Sequence, residues 1–156
     1  MLSLSIPGKG RFEIKHIVLD YNGTLAIDGA PINGVRDRLR FLAQHFEVHV
    51  LTGDYFNSVK SKLRDLPCSI EVISQSSQCE DKVKYVEKLG AESVIAIGNG
   101  YNDSMMLEKA ALGIVVMQEE GCSSRALRSA DILSRNIFEA LQLLIRPKRL
   151  EATLRY

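Results

Sequence analysis

The chain contains no tryptophan, and its other aromatics are five tyrosines and five phenylalanines. No stacking platform for single-stranded nucleic acid stands out. Its cysteines are Cys68, Cys79 and Cys122. An odd count without a CxxC spacing argues against a disulfide framework and against a structural zinc site. A reduced, cytoplasmic setting is the simplest inference. Charge of one sign is also missing. Twenty Lys and Arg stand against nineteen Asp and Glu, a formal net charge of +1. Nothing global therefore draws the chain to nucleic acid or to an anionic membrane. Long apolar runs are absent too. Stretches such as Gly113 to Met117 are strand-sized and far short of the roughly 20 residues that span a bilayer. Met1 to Lys9 lacks the charged leader and apolar stretch of a signal peptide.

What is there is an ordinary globular balance: 156 residues, 46% hydrophobic and 25% charged. That length predicts one domain over residues 1–156 with a sizeable core. Short apolar runs alternate with helix-period segments. Leu2 to Ile6 and Phe12 to Leu19 flank Pro7-Gly8-Lys9-Gly10 and predict an N-terminal β-hairpin, its second strand ending on Asp20. Val35, Leu39, Leu42 and Phe46 make a helical stripe. Val48 to Leu51 reads as a buried strand, and Phe56 to Leu66 as a helix stopped at Pro67. Ile70 to Ile73 is a strand. Val83, Val86 and Leu89 mark a helix closed by Gly90. Val94 to Ile97 is a strand, Asp103 to Ala111 a helix, and Ile114 to Met117 and Asp131 to Leu133 are shorter strands. Ile137 to Ile145 is a last helix, followed by a short, solvated C-terminal tail.

This alternation predicts an α/β fold: a three-layer, Rossmann-like parallel sheet with helices on both faces and a core over about residues 14–145. Ligands in such sheets bind outside the carboxyl ends of the strands. Polar residues should then follow strands, and they do. Asp20 ends the first core strand, Thr52-Gly53-Asp54 follows the second, and Asn99 to Asp103 follows the Val94 strand.

Each position suggests chemistry and also has a plainer reading. One carboxylate oxygen of Asp20 can attack phosphorus while the other holds magnesium. Gly23 lets the backbone turn its amides toward a phosphate, and Thr24 can donate further. The plainer reading is an Asx-turn. Thr52 offers a hydroxyl and the following Gly53 amide to a phosphoryl oxygen, or it caps the helix near Phe56. Lys82 starts a helix, a poor place for a cation against the helix dipole. Pairing with Asp20 and phosphate would explain it, as would a solvated surface. Asn99 and Asp103 can supply oxygen ligands to magnesium, or form a loop ending in an N-cap.

The ordered set of Asp20-Tyr21-Asn22-Gly23-Thr24-Leu25, Thr52, Lys82 and Gly98-Asn99-Gly100-Tyr101-Asn102-Asp103 resembles the four motifs of the haloacid dehalogenase superfamily of phosphotransferases. The likeness runs from about Ile14 to Leu144. It is nearest to the small soluble proteins described as P-type-ATPase-like, through Asp-Tyr-Asn-Gly-Thr-Leu-Ala, Gly-Asn-Gly-x-Asn-Asp and the ending Arg146-Pro147-Lys148-Arg149-Leu150 with Ala152-Thr153-Leu154-Arg155. The resemblance implies a Mg²⁺-dependent phosphohydrolase or phosphotransferase with a phospho-Asp20 intermediate. Thr52 and Lys82 would hold the phosphoryl group. Asp20, the backbone oxygen of Asn22, Asn99 and Asp103 would hold the metal. Ion pumping is not expected of residues 1–156, which offer no membrane span and no room for a nucleotide-binding domain.

Two departures matter. Relatives usually carry a second Asp two residues after the nucleophile, to protonate the leaving oxygen and later activate water. Here it is Asn22, and an amide cannot exchange a proton near neutral pH. Turnover should therefore be slow and favour good leaving groups: acyl phosphates, aryl phosphates or nucleotide γ-phosphates. Asn99 replaces a common metal-binding Asp and predicts weaker magnesium affinity. No cap domain fits either. Asp28 to Gly34 leaves room only for a hairpin turning at Asp28-Gly29, and Thr52 to Lys82 holds one helix and one strand. A capless protein acts on large substrates or borrows a lid from a neighbouring subunit, so a homo-oligomer (dimer or tetramer) is expected. The substrate class is a phosphorylated small molecule or phosphoprotein. The alternative is a catalytically degenerate binding or regulatory protein of the same fold.

Overall fold

The computed structural model describes residues 1–54 and 58–156. Leu2–Ile6 (β1) and Gly10–Ile14 (β2) form the expected antiparallel hairpin, with Leu2 opposite Ile14 and Ile6 opposite Gly10. The expected long second strand is divided. β2 ends at Ile14, and His16–Asp20 forms a separate strand, β3. Lys15 is the switch point. Its N–H donates to the Ser93 carbonyl at 2.9 Å, and its carbonyl accepts from Glu47 N–H at 3.0 Å. The backbone thus trades its hairpin partner for two parallel neighbours.

Ala26–Ile27 (β4) and Ala30–Pro31 (β5) make a small hairpin turning at Asp28-Gly29, as expected. Both turn residues have positive φ, 49° and 75°, which suits a two-residue hairpin loop. Val35–Leu42 (α1) buries Val35, Leu39 and Leu42 of the predicted stripe, and Phe46, its fourth member, is buried beyond the helix end. The chain continues through Glu47–Thr52 (β6), Ser58–Leu63 (α2), Ser69–Val72 (β7) and Gln78–Leu89 (α3). The first residues of the helix expected from Phe56 lie outside the described residues. Then come Val94–Gly98 (β8), Ser104–Lys109 (α4), Leu112–Val116 (β9), Ser124–Ser129 (α5), Ile132–Ser134 (β10), Ile137–Ile145 (α6) and Pro147–Leu154 (α7).

Six strands form one parallel sheet in the order β10-β9-β8-β3-β6-β7, with β3 at its centre. Every residue of β8 and β9 is buried, as expected of strands covered on both faces. Side chains alternate between two apolar clusters. Ile17, Leu19, Ile95 and Ile97 pack with α1 and α6, whereas Val18, Ala96 and Val115 pack with Val86, Met106 and Leu107 of α3 and α4. These are the three expected layers.

The C-terminal segment is a helix rather than an irregular tail, although its basic side chains Lys148, Arg149 and Arg155 are exposed, as expected. Pro147 opens α7, where its missing N–H costs nothing. Leu150 and Leu154, one helical turn apart, are buried in the larger cluster with Leu4 and Ile6. Glu151 accepts the Ser5 N–H at 2.9 Å, and Tyr156 N–H donates to the Pro7 carbonyl at 3.0 Å. The core therefore reaches both ends of residues 1–156. No described helix is long and apolar enough to cross a membrane.

Candidate active site

Asp20, Thr52 and Gly98 stand at the carboxyl ends of adjacent strands β3, β6 and β8. The sheet alone therefore gathers three of the sequence motifs at one edge. The fourth, Lys82, reaches in from the second turn of α3. It is not a solvated lysine: 1% of its surface is exposed. Its Nζ donates to Asp20 Oδ1 at 2.7 Å and to Asp103 Oδ1 at 2.5 Å. Burial works against the Lys82 charge, but the carboxylates of Asp20 and Asp103 outweigh it and hold the ammonium pKa above the usual lysine range.

Asp20 responds the other way. Burial, and then the neighbouring Asp103 charge, push its carboxyl up to about 7, against the opposing pull of Lys82. Asp103 is fully buried and takes three donors. Beside Lys82, its Oδ2 accepts the N–H groups of Asn99 at 3.0 Å and Gly100 at 2.9 Å. That packing explains Gly98: a Cβ there would lie 2.5 Å from Asp103 Cγ.

The first loop curls over Asp20. Thr24 and Leu25 N–H groups donate to the Tyr21 carbonyl, and Gly23 adopts φ 80° at the bend. The Thr24 hydroxyl is 3.3 Å from both Asp20 Oδ2 and Asn99 Oδ1. One hydroxyl proton cannot serve both oxygens at once. Asn99 Nδ2 is fixed on the Gly121 carbonyl at 3.1 Å, which leaves its oxygen facing the Thr24 hydroxyl. Asn22 is exposed and lines the same opening.

Thr52 is buried and accepts the Asp54 N–H at 3.2 Å through its hydroxyl. Asp54 Oδ2 accepts from Val59 N–H at 3.0 Å and from the Ser58 hydroxyl, both in α2. Above these groups lies an open cavity of about 730 Å³, lined by Asp20, Asn22, Thr52, Gly53, Lys62 and Asn99 among others. Asp20, Asn22, Gly23, Thr24, Thr52, Gly53, Lys82, Asn99 and Asp103 thus converge around one spot.

Sequence reasoning missed three supporting residues. Gln118 Nε2 donates to the Gly23 and Thr24 carbonyls, each at 2.9 Å, while its Oε1 accepts the Ile137 N–H at 2.8 Å. It clamps the first loop to the start of α6. Gln118 also follows a strand, so the strand-end rule could have found it. Gln78 Oε1 accepts from Asn102 Nδ2 at 2.5 Å and steadies the loop after β8. Lys62 Nζ donates to the Gly29 carbonyl at 2.7 Å at the rim.

A central parallel sheet covered on both faces, with a carboxylate–lysine–carboxylate cluster beneath an open polar cavity at its carboxyl edge, defines a Rossmann-like α/β protein. The chain belongs to the haloacid dehalogenase-like hydrolases, whose family model matches residues 42–124. That span carries Thr52, Lys82, Asn99 and Asp103; Asp20 precedes it. An uncharacterized protein of Methanocaldococcus jannaschii is 45% identical over 78 residues, covering 47% of this chain and 84% of that protein. The fold is also that of the 3-deoxy-D-manno-octulosonate 8-phosphate phosphatase of Moraxella catarrhalis, solved with magnesium, phosphate and its sugar. There the identity is 23% and the TM-score 0.65, over 85% of this chain and 86% of that one. A zinc-transporting PIB-type ATPase in its E2.Pi state matches at 26% identity and TM-score 0.64, over 79% of this chain but 20% of the ATPase. Among the described residues no cap domain accompanies the fold.

Proposed function

We propose that this chain is a magnesium-dependent phosphohydrolase or phosphotransferase that forms an aspartyl phosphate on Asp20. The observation that carries the reading is Lys82, buried between Asp20 and Asp103 beneath an open polar cavity that Asp20 lines. Burying such a cluster costs several kcal/mol per ion (order of magnitude) before attraction offsets it, and apolar side chains would serve stability as well. A phosphoryl site gives the arrangement a use.

The donors suit magnesium, a hard cation that takes oxygen ligands. Asp20 Oδ2 and Asn99 Oδ1 share one hydroxyl proton between them, so lone pairs remain for a cation. The Asn22 carbonyl would complete the set. Asp103, already holding three donors, supports from behind. Bound magnesium would neutralise phosphoryl charge and polarise phosphorus.

Asp20 attacks phosphorus in line. A carboxylate O–P bond forms, and the bond to the leaving oxygen breaks with its electron pair on that oxygen. The Thr52 hydroxyl, the Gly53 amide and the Lys82 charge hold the transferring group, together with Gly23 and Thr24 of the first loop. Asn22 gives the leaving oxygen no proton, so departure is easy only for acyl, aryl or nucleotide γ-phosphates. In the second step water attacks phosphorus, the Asp20 O–P bond breaks, and its electron pair returns to the carboxylate. Asn22 cannot take the water's proton, which passes instead to an oxygen of the departing phosphate, and this makes the step slow. The open cavity fits a phosphorylated small molecule, a phosphoprotein or a lid from a second copy in a dimer or tetramer. Free Cys68, Cys79 and Cys122 suit a reduced cytoplasm.

Hydrolysis of p-nitrophenyl phosphate tests the reading. Turnover should need magnesium and vanish in Asp20→Asn. Equal turnover in chelator, or in Asp20→Asn, overturns it. Phosphate binding without turnover in either protein would instead favour the non-catalytic binding fold, the reading Asn22 and Asn99 support.

A further inference from the structure

We infer that the opposite end of the same strands carries a second metal site, built from His16, Glu47 and His49 and suited to a zinc-class divalent cation. The site is independent of the phosphate cavity. Four residue steps along β3 carry the chain from His16 to Asp20, about 13 Å at strand rise.

The sheet assembles the three side chains. In the parallel pairing of β3 with β6, His16 stands opposite Glu47 and Val18 opposite His49. Glu47 and His49 are two residues apart on one strand and so share a face. His16, opposite Glu47, projects to that same face. One donor atom from each lies within 4.8 Å of the others.

The two spacings from His16 are those a shared cation would require. His16 Nδ1 is 3.2 Å from His49 Nε2 and 3.5 Å from Glu47 Oε2. In a tetrahedral zinc site with bonds of about 2.0–2.1 Å, neighbouring donors sit about 3.3 Å apart. The two distances bracket that edge. His49 is already oriented for the task. Its Nδ1 is 3.0 Å from the Tyr85 hydroxyl of α3. With Nδ1–H donating to Tyr85 Oη, the Nε2 lone pair faces His16. Ligating histidines are characteristically held this way through their other ring nitrogen.

Access and preference follow from the same residues. The Glu47 side chain is 73% exposed and His16 12% exposed, so the cluster opens to solvent on one side and leaves room for water as a fourth ligand. Two imidazoles and one carboxylate favour Zn²⁺, Co²⁺ or Ni²⁺ over Mg²⁺, which prefers oxygen ligands. The all-oxygen cavity has the opposite preference. A cation here would tie β3 to β6 at their amino ends, with Tyr85 as a positioning residue.

The test is titration of the full chain with Co²⁺ in excess Mg²⁺, which occupies the oxygen site. One equivalent should bind and give the intense visible absorption of a four-coordinate site. His16→Ala and His49→Ala should abolish that band. Glu47→Gln should weaken binding, and Tyr85→Phe should weaken it about 10–100-fold, as loss of an outer partner does. Zn²⁺ should raise the Tm of the wild-type chain but not of His49→Ala. X-ray absorption of the wild-type Zn²⁺ adduct needs no variant, and two imidazoles are expected around the metal. Absence of the band, a band unchanged in His49→Ala, or coordination by oxygen alone would each overturn the site and leave a histidine–histidine hydrogen bond.

Discussion

The two ends of β3 hold polar groups in different ways. At the carboxyl end, Asp20 shares a buried ammonium with Asp103, and the cluster draws its charges from three elements. At the amino end, His16 meets Glu47 and His49 from a single neighbouring strand, with one side chain in water. Loss of Lys82 from the first would leave two buried carboxylates facing each other. Loss of Glu47 from the second strands no buried charge, because that side chain is 73% exposed. That difference teaches where chemistry and stability are coupled: tightly around Lys82, loosely around His49.

Variants can break this contrast, and the largest effect should come from Asp20→Asn. It should remove all turnover of p-nitrophenyl phosphate, measured as released nitrophenolate, because the carboxylate that attacks is gone. Asn22→Asp should act in the opposite direction. It restores a group able to donate and accept a proton beside the leaving oxygen, a contribution typically worth about 10²–10⁴ in rate. Steady-state hydrolysis rates measure it, and an unchanged rate would remove Asn22 from the account of slow turnover.

Lys82→Met should cost stability at the carboxyl end, by about 3–5 kcal/mol, because it leaves buried carboxylates facing each other. Urea unfolding reads this out. The pH response is smaller. The Asp20 carboxyl rises from its ordinary 3.8 to about 7 in the folded chain. The folded state therefore holds an extra proton between those values. Its stability from this group falls as pH rises through that window, and the penalty is fully present above about 7. Magnesium competes with that proton, so the Mg²⁺-induced rise in Tm should be larger at about pH 8 than at about pH 5.5. In Asp20→Asn the pH dependence of that increment should flatten. The smallest effect is the control: His49→Ala should leave phosphatase turnover unchanged, since it lies beyond the reacting groups.

The sequence carried much of this because parallel sheets put function at strand ends. Asp20, Thr52 and Asn99 to Asp103 follow strands whose apolar runs are easy to see, and Lys82 stood out as a cation at a helix start. The supports were harder. Gln118 works through backbone carbonyls 94 and 95 positions away. The break at Lys15 depends on partners at Ser93 and Glu47, which no local pattern names. α7 was hidden because its basic residues suggested a solvated tail, although Leu150 and Leu154 share a helical face. α5 is six residues long and buries only Ala126, too little for a periodic signal. The histidine cluster exists only through the register of β3 on β6.

The most direct measurement is intact and peptide mass spectrometry after acid quench of the chain mixed with magnesium and acetyl phosphate. One phosphoryl group, labile in base, should appear on the peptide containing Asp20, accumulate because Asn22 cannot activate water, and be absent from Asp20→Asn. No adduct on wild-type protein that turns substrate over, or an adduct that survives in Asp20→Asn, would contradict it.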